Sequence, residues 1–73
     1  MQFNITIFDE DGHGPVMRMK NEDSLRKYMW IILRSLPQAL LPMNYADWST
    51  QDYVKEMTKM KLDFLIEEVR VDA

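Results

Sequence analysis

Between Lys20 and Asn21 the spacing of apolar residues changes from every second position to every third or fourth, so a sheet and helices must share one core. Before the change, Gln2 to Phe8 reads QFNITIF. Phe3, Ile5 and Ile7 fall on one face and Gln2, Asn4 and Thr6 on the other, as in a half-buried strand, and Phe8 adds an aromatic to the polar face. The turn signals Asp-Gly and Gly-Pro follow, and Val16 to Lys20 can return as a shorter strand, with Pro15 at its first position or on an edge. After the change, Asn21 offers a capping side chain, and Glu22 and Asp23 favour the positive end of a helix dipole. Leu25, Met29, Ile32, Leu33 and Leu36 form the apolar stripe of a helix that Pro37 ends.

The connection PQALLPMNYADW carries Leu40, Leu41, Met43, Tyr45 and Trp48 and is expected to be a packed loop with one helical turn. Ser49 and Asp52 resemble a capping box, which predicts a second helix from Thr50 to Met60 with Tyr53, Val54, Met57 and Met60 as its apolar stripe. In the tail KLDFLIEEVRV, Leu62, Phe64 and Ile66 share one phase while Val69 and Val71 take the other, which predicts a bulge near Glu67 and Glu68. The expected fold is α+β: one domain over 1–73, element order β-β-α-α-β, and a three-stranded antiparallel sheet with the first strand in the middle.

A chain of 73 residues, 47% of them hydrophobic, can just build a self-sufficient core, and without cysteine no disulfide or thiolate zinc site can reinforce it. The stretch FDEDGHGP invites a calcium-loop reading. With Gly12 on the sixth, sharp-turn position, Asp9 and Asp11 take positions 3 and 5, but Ile7 and Arg18 fall where the first ligand and the bidentate Glu belong. Neither metal nor cofactor is expected. The apolar runs MWIIL and FLI are far shorter than the roughly 20 residues a bilayer span needs.

No catalytic constellation emerges. The one histidine, His13, sits among carboxylates and glycines as a solvated turn residue, while Ser24, Ser35 and Ser49 have helix-related roles. Carboxylates at an exposed hairpin tip lack the pocket that would tune them for acid-base work. The expectation is therefore a binding protein and not an enzyme. Twelve acids against nine bases, for a net charge of −3, disfavour a phosphate-binding surface and favour a partner with a basic patch.

The candidate partner-binding residues are Phe8 and the acidic tip Asp9, Glu10 and Asp11, the loop aromatics Tyr45 and Trp48, and the pair Glu67 and Glu68 with Asp72 beyond it. Each has an alternative: a solvated turn for the tip, recruitment into a small core for the aromatics. The tip and the Glu pair need not share one end of the sheet. Most of the seven methionines fall on core stripes, and Trp30 lies beside the stripe of its helix, partly exposed.

With its opening MQFNITIFDEDGHG, the helix start NEDSLRKYMWIIL and the end FLIEEVRVDA, the chain resembles over its whole length the small host RNA polymerase-binding proteins of Xanthomonas phages. The resemblance implies a transcription regulator working in the host cytoplasm that grips the N-terminal segment of the polymerase β′ subunit near the RNA exit channel. Such a protein inhibits initiation at promoters that need the sigma factor's upstream contact, and lets elongating polymerase pass terminators. It is expected to act as a monomer, with no membrane and no direct nucleic-acid contact. Two other classes compete: an inhibitor of a nucleic-acid-cutting defence complex that occupies its DNA channel, and an adaptor domain without inhibitory role.

Overall fold

A computed structural model describes residues 1–70 of the chain. Strand β1 (Gln2–Ile7) and strand β2 (Val16–Met19) are followed by helix α1 (Glu22–Arg34), a 3-10 turn (Tyr45–Asp47), helix α2 (Thr50–Lys59) and strand β3 (Phe64–Val69). The three strands form one antiparallel sheet in the order β2-β1-β3, the α+β arrangement expected from the change of period.

Local chemistry sets the boundaries. Asn21 Oδ1 accepts the Ser24 amide at 2.8 Å and starts α1. The Ser35 hydroxyl, donating to the Ile32 carbonyl at 2.7 Å, helps to end it before Pro37. Ser49 and Asp52 form a reciprocal capping box at the start of α2. At its end the Lys61 amide donates to Thr58 O at 3.0 Å and the Leu62 amide to Met57 O at 3.1 Å, a Schellman closure. The left-handed position of that closure, usually glycine, is held by Lys61 with φ of 61°.

The odd-numbered face of β1 meets the helices. Ile5, Leu25, Met29, Leu33, Tyr53 and Met57 are fully buried together, and Phe3, Ile7, Phe64 and Ile66 pack around them. Fully burying an aliphatic side chain of this kind contributes about 1.5–3 kcal/mol. The buried stripe of α1 is Leu25, Met29 and Leu33. Ile32, expected on it, is half-buried and outside the core cluster, because a strict four-residue step already fills the contact with the sheet.

The pairing of β1 with β3 is regular from Gln2 opposite Val69 to Ile7 opposite Phe64, so the expected bulge at Glu67 and Glu68 does not form. The strand keeps its register by placing Glu68 on the core-side face opposite Phe3, at the end of the sheet, where it remains exposed. Val69 joins the open face. Val71 and Asp72 of the expected tail lie outside the described residues.

Candidate functional site

The stretch FDEDGHGP folds into a self-bonded loop. The Asp9 carboxylate accepts the amides of Asp11 and His13, each at 2.9 Å, while the Asp9 amide donates to the His13 carbonyl at 2.7 Å and Gly12 donates back to Asp9 O at 3.0 Å. Gly12 has φ of 80°, which favours glycine, and a Cβ on Gly14 would stand 2.0 Å from the Ile7 carbonyl oxygen, which requires it. Asp9 thus has a structural task besides its charge. The side chains of Asp9, Glu10, Asp11 and His13 are exposed.

One further ladder bond, from the Phe8 amide to Asp63 O at 2.8 Å, ties this loop to the start of β3. The junction forms an open depression of about 490 Å³ lined by Phe8, Asp9, Glu10, Lys61, Leu62 and Asp63. Its lining combines three carboxylates and one ammonium with the apolar side chains of Phe8 and Leu62. Asp63 and Lys61 escaped the sequence reading. Their only signal was adjacency to the tail's strand pattern, and no glycine marked the end of α2.

The continuing register puts Asp63, Leu65, Glu67 and Val69 on the open face of β3, beside Phe8, Thr6, Asn4 and Gln2. Glu67 and Glu68 therefore lie at the far end of β3 from the tip and on opposite faces. Asp63 and Glu67 share the open face of β3, and the loop reaches this strand at Asp63.

Tyr45 and Trp48 are half-buried and make their contacts inside the fold. Tyr45 donates its hydroxyl to Asp23 Oδ2 at 2.9 Å, with the Lys27 ammonium 6.0 Å from its ring. The Trp48 ring lies 5.2 Å from that of Tyr53, tilted by 58°, and the Tyr53 hydroxyl donates to the Tyr45 carbonyl. The bond to Asp23 raises the Tyr45 hydroxyl above its ordinary pKa. Burial pushes Tyr53 up to about 12. Backbone and side-chain bonds from Ser49 hold the Asp52 carboxyl below its usual value.

A second open depression, about 450 Å³, is lined by Trp30, Arg34, Leu41, Pro42 and Met43. Trp30 fixes the loop there by donating Nε1–H to Pro42 O at 3.1 Å, and the Arg34 guanidinium sits 5.0 Å from its ring. Among the described residues no three His, Cys, Asp or Glu side chains are placed to hold a metal ion, and no helix is long and apolar enough to cross a membrane.

Comparison with family models, with characterised proteins and with solved structures finds no match to this chain.

Proposed function

We propose that this chain is a non-catalytic transcription regulator of the phage type, which binds the N-terminal segment of the host RNA polymerase β′ subunit in the host cytoplasm, inhibits initiation and permits terminator readthrough. The sequence resemblance supplies the partner. The observation that carries the reading on physical grounds is the open depression in which Asp9, Glu10 and Asp63 outnumber Lys61 beside the apolar Phe8 and Leu62. Its carboxylates attract a basic segment and speed encounter, while Phe8 and Leu62 offer surface that gains from burial.

The test is capture of purified core polymerase by the tagged chain, with intact β′ and with its N-terminal segment deleted. Retention of the intact enzyme, loss with the deletion, and indifference to added duplex DNA support the reading. Equal retention of both enzymes defeats it. Release by duplex DNA favours instead a blocker of a nucleic-acid channel, the mode of a defence-complex inhibitor.

A further inference from the structure

We infer that the partner segment docks along the outer edge of β3 and joins the sheet as a fourth strand; this rests on the polymerase-binding reading and adds to it the mode of recognition. With strand order β2-β1-β3, β3 is paired on one side only among the described residues. Among the described residues its backbone bonds to nothing but β1, and no Cα of α1 or α2 lies within 8 Å of it. Such an edge presents a row of N–H and C=O groups to which an extended segment can add.

The two edges of the sheet differ in charge. The β2 edge is four residues long, follows Pro15, and carries Arg18 with Lys20 just beyond it. The β3 edge is six residues long and carries Glu67 and Glu68, with Asp63 leading into it. A basic segment is repelled by the first and attracted by the second.

The alternation of β3 specifies the occupant further. On the open face Asp63, Leu65, Glu67 and Val69 read acid, apolar, acid, apolar, and Leu65 is 48% exposed. On the other face Phe64 and Ile66 border the core, with Glu68 at the end. The complementary strand places bases at every fourth residue with an apolar residue between them on one face, and apolar residues against Phe64 and Ile66 on the other. Six extended residues reach about 20 Å, enough to run from Glu68 to the depression at Asp9 and Glu10. Two copies of this chain pairing along the same edge would instead gather both Glu67 and Glu68 pairs on one short ribbon, a like-charge arrangement that edges use against self-association.

Amide hydrogen exchange of the full ¹⁵N-labelled chain tests this, with a synthetic peptide of the polymerase β′ N-terminal segment as the probe. At saturating peptide, alternate amides within 64–69 are expected to slow by at least about tenfold while those of Val16–Met19 keep their rates. Glu67→Lys, an exposed change checked for an intact spectrum, is expected to weaken peptide binding about tenfold by turning a cross-strand attraction into repulsion. Saturable binding with unchanged β3 exchange overturns the edge inference and leaves the polymerase reading standing. No binding defeats that reading and the inference with it. Concentration-dependent protection of β3 without peptide overturns the inference in favour of a second copy.

Discussion

The Phe8 amide donates to the Asp63 carbonyl at 2.8 Å, one pair beyond the end of the regular β1–β3 ladder, and so fastens the acidic loop to the root of the strand that carries Glu67 and Glu68. The loop acids thereby stand beside Asp63, while Glu67 and Glu68 lie further along β3. The charge of the tip is therefore predicted to act on association while its geometry persists. Replacing Asp9, Glu10 and Asp11 together by Asn, Gln and Asn keeps the Oδ1 acceptor on which the loop's 2.9 Å bonds depend. Stability should change by less than about 1 kcal/mol. Stopped-flow binding to polymerase should show a slower association rate, most of all at low salt, since such charges are screened beyond about 10 Å at 0.1 M. An unchanged rate at low salt removes these acids from recognition.

Lys61 combines a strained backbone with the one base that lines the acidic depression among the described residues. Lys61→Gly should raise the unfolding free energy by up to about 1 kcal/mol, because the left-handed conformation burdens any residue with a Cβ. It should also tighten binding of a basic segment. Urea unfolding and a binding titration read the two effects separately.

The core prediction distinguishes two isoleucines. Ile5 is fully buried, and Ile5→Ala should cost roughly 2–5 kcal/mol, enough to unfold much of so small a domain. Ile32 is half-buried outside the cluster, and Ile32→Ala should cost about 1 kcal/mol. Equal losses in chemical denaturation would show that Ile32 belongs to the core.

Two groups predict how stability responds to pH. The Asp52 carboxyl is held low by Ser49, so its contribution is present above the ordinary aspartate value of 3.8 and is lost as pH falls through the lower folded value. Tyr53, raised from 10.0 to about 12, keeps its proton longer in the folded state, so its contribution is present below pH 10 and is lost between 10 and 12. Asp52→Asn should flatten the acid limb of a thermal-stability profile and Tyr53→Phe the alkaline limb. Parallel limbs in parent and variant contradict the assignments.

Element order, both helix starts and the central place of β1 were legible because they follow from local signals: the period change at Asn21, its capping side chain, and the Ser49–Asp52 box. The course of β3 was not, because an acidic pair that breaks an apolar alternation fits either a bulge or an exposed glutamate at a sheet end. Pairing with β1 decides between them. The roles of Tyr45 and Trp48 depended likewise on Tyr53, a contact between different elements that no local pattern encodes. For the candidate site, the acids of the tip and of β3 could be named from sequence, whereas the meeting of the tip with Asp63 depends on the bond from the Phe8 amide, which no local pattern encodes.

The claim that an acidic sheet edge grips a basic polymerase segment is tested most directly by calorimetric titration of the β′ N-terminal peptide into the parent chain and into Glu67→Lys, each at low and high salt. The account predicts saturable one-to-one binding by the parent that weakens with salt, and weaker binding by the variant with a shallower salt dependence. Equal affinities for parent and variant at low salt, or no binding by the parent, would contradict it.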